Sequence, residues 1–160
     1  MGVEIFILLG SNLGDRLENL AHARQEIGRL AGQIITTSSI YKTAAWGNEQ
    51  QPDFYNQVIK VRSALSPEEL LVHVLEIEKK AGRVRNEKWG PRILDIDILF
   101  YGDLILSSDL LTIPHPEIPN RKFTLLPLAE IAPDFTHPVN RKTNNQLLTE
   151  CTDVLSVEKL

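Results

Sequence analysis

The chain has 160 residues, 42% of them hydrophobic, and a net charge of −4. That suits one globular domain spanning residues 1–160 and is the wrong sign for a protein that grips nucleic acid over its whole surface. One cysteine, Cys151, excludes an intrachain disulfide and a multi-cysteine zinc site, and the N-terminal apolar run is too short for a membrane span or signal peptide, so a reducing, cytoplasmic setting is expected.

Val3 to Leu9 is an apolar run suited to a central strand. It ends in Gly10-Ser11-Asn12-Leu13-Gly14-Asp15, which lacks the lysine and hydroxyl residue of a phosphate loop and reads as a tight turn capped by Asn12 or Asp15. A helix follows to about Leu30, with Leu17, Leu20, Ala21, Ile27 and Leu30 expected to face the core. Ile34 to Tyr41 reads as a second strand. The connection from Thr43 to Asp53 is long for a compact domain and suggests a binding loop or lid, with Trp46 either packed down or facing a ligand. Phe54 to Arg62 is a third strand, on which Phe54 and Asn56 share a face. A carboxamide offers a donor beside an acceptor, matching the hydrogen-bonding edge of a heterocyclic base, although Asn56 taken alone reads as a turn or ladder residue. Ser66-Pro67-Glu68-Glu69 is a helix start with a capping box, and Leu70, Leu71, Val74, Ile77 and Ala81 recur at helical spacing until Gly82. Glu78 falls in the last turn beside Lys79, where a surface ion pair is one reading, and His73 has no ligand partner at metal spacing.

The stretch from Gly82 to Gly102 carries the chemistry. Its first half gathers Arg83, Arg85, Lys88 and Arg92 around Trp89, Gly90 and Pro91; its second half, Ile93 to Tyr101, is a strand of apolar residues broken only by Asp95 and Asp97. Side chains two apart on a strand share a face, about 6.6 Å apart. Two carboxylates facing one space repel unless a pKa rises or a cation lies between them, and hard oxygen ligands favour magnesium held jointly with substrate phosphates. The neighbouring guanidinium groups supply the matching charge for a polyphosphate. Further on, prolines at 114, 116 and 119 keep the chain irregular around His115 and Arg121, displaying both on a loop. By periodicity Phe123 is a core residue, and beyond Pro133 the chain is polar and weakly periodic.

Lys88-Trp89-Gly90-Pro91-Arg92, two residues, then Asp95-Ile96-Asp97-Ile98-Leu99 resembles the signature of 6-hydroxymethyl-7,8-dihydropterin pyrophosphokinase, an enzyme family of folate biosynthesis. The His115-Pro116, Arg121, Phe123, Pro127-Leu128 spacing is similar to the family's second signature, and the likeness extends from the first strand to about Pro133. The resemblance implies that Asp95 and Asp97 hold two magnesium ions and that Arg83 and Arg92 assist catalysis. It implies a pterin site of Thr43, Ala44, Trp46, Phe54, Asn56, Trp89 and Phe123, and an ATP site of Glu78, Arg85, Lys88, Ile98, Thr112, His115 and Arg121. Ala44 stands where relatives often carry proline, Phe54 where they carry tyrosine, and Leu110 where some carry a basic residue.

Two helices and four principal strands in the order strand, helix, strand, strand, helix, strand fit a ferredoxin-like α+β sandwich with added helical pieces at the C-terminus, and the resemblance implies the same fold. The expected reaction is transfer of diphosphate from ATP to the hydroxymethyl oxygen of the dihydropterin by a monomer with no nucleic acid or membrane partner. Two other readings stay open: a phosphoryl or nucleotidyl transferase acting on another alcohol, and a small-molecule sensor or RNA-binding module. The second conflicts with the carboxylates on the central strand, where an RNA-binding sheet carries aromatics.

Overall fold

The two faces of one strand organise the molecule. In the computed structural model, which describes residues 2–44, 52–82 and 93–160, β1 (Val3–Ser11) runs between β4 (Phe54–Ser63) and β5 (Asp95–Tyr101), antiparallel to both. Ile5, Ile7 and Leu9 point to one side, into a core with Leu20, Ala23 and Ile27 of α1 (Arg16–Leu30) and Leu70, Val74 and Ile77 of α2 (Pro67–Lys80). Phe6 and Leu8 point to the other, into a second core with Leu125 and Leu128 of α3 (Lys122–Ile131) and Leu147 of α4 (Asn144–Glu150). A strand buried on both faces reads as a continuous apolar run, which is why Val3 to Leu9 shows no alternation.

The sheet order is β5-β1-β4-β3 followed by the edge strand β8 (Val157–Lys159), with β2 (Gln33–Thr37) and β3 (Tyr41–Thr43) both paired to β4. This is the expected ferredoxin-like βαββαβ topology, its second strand divided at residues 38–40. Ser38 causes the break. Its backbone N–H donates to Val58 O at 2.9 Å, but its hydroxyl stands in for a ladder carbonyl by accepting from Val58 N at 2.9 Å. Gln57 Nε2 then donates to the Ser38 carbonyl at 2.7 Å, so the interruption leaves these groups paired.

Both long helices begin as their sequences indicate. Asp15 caps α1 by accepting from Glu18 N at 3.1 Å, and Ser66 and Glu69 close a reciprocal capping box on α2. Gly82 follows α2 with φ +87°, a backbone geometry that favours glycine. On α1 the inward stripe centres on Ala23 and Ile27, not on Leu17, which is 51% exposed. Leu17 sits roughly a quarter turn around the helix from that stripe.

The chain beyond Pro133 is more ordered than its polarity suggests. It supplies α4 and then β8 (Val157–Lys159), which pairs with β3 at the sheet edge. Glu130 of α3 fastens this end to the sheet, accepting from Ser39 N at 3.0 Å, Ser39 Oγ at 2.8 Å and Tyr41 OH at 2.7 Å. His137 is buried, edge-on to Phe100, and its Nδ1 accepts from Val139 N and Asn140 N at 3.2 and 3.1 Å. Burial holds its pKa below the usual 6.5. The unfolded chain therefore takes up a proton near pH 6.5 that the folded chain refuses, and stability is lost as pH falls through and below that value. The unfolding midpoint is expected to drop between pH 7 and pH 5, and His137→Gln, which keeps an acceptor, is expected to flatten that slope; an unchanged slope refutes the assignment.

Candidate active site

Strand alternation puts the two acids of β5 where the apolar residues are not. Ile96 and Ile98 enter the core beneath the sheet with α1 and α2, so Asp95 and Asp97 lie on the face shared by Leu8, Val58 and the C-terminal helices. Across the strands, Gly10 of β1 is opposite Asp95 on one side and Asn56 on the other, while Leu8 is opposite Asp97 and Val58. One row thus reads Asn56, Gly10, Asp95, and the row beside it Val58, Leu8, Asp97.

The free edge of β5 has two attachments that define the site. Ile96, between the acids, donates its N–H to Glu78 Oε2 at 2.7 Å. Glu78 is 2% exposed, so of the two readings of this residue the surface position is the one the structure overturns: it is a buried carboxylate bound to the strand backbone. Just past the acids the β1–β5 register slips: Ile7 faces Ile98 and Phe6 faces Phe100, leaving Leu99 as the extra residue of a bulge. The Leu99 carbonyl accepts from His115 N at 3.0 Å, bringing the imidazole to Asp97, Nε2 to Oδ1 3.8 Å.

His115 is therefore less exposed than a loop position suggests, its side chain 23% accessible. Burial, and after it the positive charge of Arg121, holds its pKa below the usual value. Nδ1 accepts from Glu117 N at 3.1 Å, which places the proton of the neutral ring on Nε2, on the Asp97 side. Arg121 occupies the N-terminal boundary of α3, its guanidinium carbon 5.7 Å from the ring centroid of Phe123, and Phe123 is half-buried against the second core. Thr112 lies on the short β7 (Thr112–Ile113), paired with β6 (Leu106–Ser107). Ile98 is 4% exposed in the α1–α2 core, which leaves only its main chain for a ligand.

On the far side of Gly10, Thr43 faces Phe54 across the β3–β4 ladder, and Ala44 follows it. The Thr43 hydroxyl donates to Ser156 O at 3.1 Å, so contacts there fall to the backbone. Asn56 is 3% exposed, and its Nδ2 has no hydrogen-bond partner among the described residues. A buried amide N–H pair is costly to leave without an acceptor, so an acceptor from water or a ligand would stabilise it. Trp46, Arg83, Arg85, Lys88, Trp89 and Arg92 lie outside the described residues.

The turn after β1 has a part that spacing did not disclose. Asn12 Nδ2 donates to Pro52 O at 3.1 Å, and Arg16 Nη1 to Asp53 O at 2.8 Å while its guanidinium lies 3.9 Å over the Tyr55 ring. The glycine-containing turn braces the chain entering β4. The basic residue at the start of α1, beside an aromatic strand, was the available signal.

The sequence model of the family described as 7,8-dihydro-6-hydroxymethylpterin-pyrophosphokinase (HPPK) matches residues 6–133. The chain is 49% identical to a 2-amino-4-hydroxy-6-hydroxymethyldihydropteridine pyrophosphokinase of Synechocystis over 152 residues, covering 93% of this chain and 77% of that one. To the protein of the same description from Haemophilus influenzae it is 42% identical, covering 99% and 96%. A crystal structure of Plasmodium falciparum HPPK-DHPS aligns with a TM-score of 0.77 at 18% identity, over 94% of this chain and 45% of that longer protein, a likeness of fold. The chain thus belongs to the 7,8-dihydro-6-hydroxymethylpterin-pyrophosphokinase family and has its ATP-dependent pyrophosphokinase activity in folate biosynthesis.

Proposed function

We propose that diphosphate passes from ATP to 6-hydroxymethyl-7,8-dihydropterin across the sheet face that carries Asn56, Gly10, Asp95 and Asp97, with the pterin at the Asn56 end and the phosphates at the aspartate end. The observation that carries this reading is the row itself. It sets a buried carboxamide with an unmatched N–H pair beside a carboxylate, separated by one residue without a side chain. The carboxamide offers hydrogen bonds to the pyrimidinone edge, and Phe123 and Phe54, with Trp46 and Trp89, supply aromatic surface for the ring. Thr43 and Ala44 contribute backbone groups.

Asp95 and Asp97 suit magnesium. Both are half-buried on one face, and a pair of carboxylates leaves coordination positions to phosphate oxygens and water, as magnesium prefers. Two such ions, when bound, supply neutralisation of the phosphate charge. The protein supplies the rest by position. Neutral His115 presents its Nε2–H, and Arg121 its guanidinium, to phosphate oxygens, joined by Arg83, Arg85, Lys88 and Arg92. Thr112 and the main chain of Ile98 border the nucleotide, and Glu78 holds the strand between the acids. In the reaction the hydroxymethyl oxygen forms a bond to the β-phosphorus, the bond from that phosphorus to the α,β-bridging oxygen breaks, and AMP leaves with the electron pair. The hydroxyl proton is released, and no side chain is assigned as its acceptor.

The chain works as a single-domain monomer in the cytoplasm in this reading. Both apolar faces of β1 are covered from within the chain, and no described helix is long and apolar enough to cross a membrane. The test is chromatographic: purified protein with magnesium, ATP and the reduced hydroxymethylpterin is expected to yield AMP and pterin diphosphate in equal amounts, with neither product when magnesium is omitted. Formation of ADP or free pyrophosphate in place of AMP overturns the reaction assigned.

A further inference from the structure

We propose that Gly10 is a positioning residue for the pterin: the space where its side chain would be is the space the Asn56 carboxamide needs in order to present its edge. This inference rests on the assignment of Asn56 to the pterin. A methyl carbon built on Gly10 would come within 2.8 Å of Asn56 Oδ1, with Phe54 Cδ1 next at 3.7 Å. Its three nearest neighbours among the described residues all belong to side chains of the proposed pterin site, Asn56 and Phe54.

The contrast with Gly32 shows why that matters. There a methyl group would fall 2.2 Å from the Arg62 carbonyl oxygen, so the close approach of two main chains excludes any side chain. At Gly10 the backbone makes no such demand; its φ is not in the left-handed region, and it lies within the regular β1–β4 and β1–β5 registers. A glycine inside a strand weakens the strand relative to alanine. The fold alone would thus be served better by alanine at this position, and the group that alanine would displace is the tip of Asn56. Because Gly10 also faces Asp95, the missing side chain leaves bare strand between carboxamide and carboxylate, against which a flat ring can lie.

The test is a cycle of Gly10→Ala, Asn56→Ala and the double variant, read by separate KM values for pterin and ATP, by kcat, and by thermal midpoint. Gly10→Ala is expected to raise KM for the pterin roughly tenfold or more, the scale of one displaced hydrogen bond. KM for ATP is expected to stay within about twofold and the unfolding midpoint to hold or rise. In the double variant the added methyl has room, so its pterin KM is expected to match that of Asn56→Ala. A pterin KM unchanged in Gly10→Ala, while Asn56→Ala is impaired, overturns the inference and leaves the pterin assignment standing. Equal penalties for Gly10→Ala with and without Asn56 also overturn it, since the glycine would then act independently of the carboxamide. An Asn56→Ala variant with normal pterin KM removes the assignment itself and the inference with it. If Gly10→Ala does not fold, recovery of folding in the double variant supports the conflict with Asn56, and continued failure refutes it.

Discussion

Asp97→Ala is expected to lower kcat/KM by about a thousandfold or more while the protein remains folded. The two halves of that expectation have separate physical origins. Asp97 lies on a strand buried on its other face, but its own side chain is 30% accessible and packs in neither core, so its removal leaves no cavity. A change of only a few degrees in the unfolding midpoint follows. In the proposed reaction Asp97 is one of two carboxylates that would hold the phosphates' metal ions, and phosphoryl transfer depends almost wholly on such charge stabilisation and positioning. Initial rates over a magnesium titration, with a thermal scan on the same sample, check both halves. Turnover near that of the parent protein refutes the metal assignment, whereas a large loss of thermal stability would give Asp97 a structural part that its accessibility does not indicate.

The acids were legible in the sequence because a strand has a period of two. Asp95 and Asp97 interrupt an apolar run at that spacing, and the structure places Ile96 and Ile98 on the opposite face accordingly. The capping box at Ser66 and Glu69 and the stop at Gly82 were legible for a similar reason, since each depends on residues within one turn of each other. What the sequence concealed depends on partners distant along the chain. The division of the second strand requires the Ser38 hydroxyl to occupy a ladder position against Val58, twenty residues away, and a serine in a strand carries no mark of that. β8 is short and polar because it closes an edge, and only its register with β3 identifies it. The approach of His115 to Asp97 arises from a bulge at Leu99, a slip in pairing that leaves no compositional trace. Gly10, by contrast, stood in plain view, but as the first residue of what reads as a tight turn capped by Asn12 or Asp15. Its consequence is lateral, toward Asn56 on the neighbouring strand.

Glu78→Ala is expected to destabilise the fold by about 1–3 kcal/mol, the usual cost of leaving a buried donor without its acceptor. The donor is the N–H of Ile96, whose bond to Glu78 Oε2 is 2.7 Å long and buried. This residue stands between the two acids, so the same bond that satisfies a backbone group also fixes the outer edge of β5 where Asp95 and Asp97 project. A looser edge spreads the separation of the carboxylates over a range, and magnesium tolerates little departure from octahedral geometry. The apparent affinity for magnesium in the rate assay is therefore expected to weaken along with stability. Glu78→Gln retains a carbonyl oxygen that can accept the Ile96 N–H and is expected to recover most of both. The comparison variant is Glu68→Ala on the exposed side of the same helix, where a change within about 0.5 kcal/mol is expected. Urea unfolding of the three variants, together with magnesium titrations of the rate, decides between two roles for this acid. A Glu78→Ala protein as stable as Glu68→Ala but with a raised KM for ATP would make Glu78 a nucleotide contact and deny it a hold on the strand; loss of stability with a glutamine rescue makes it the clamp on which the spacing of the two aspartates depends.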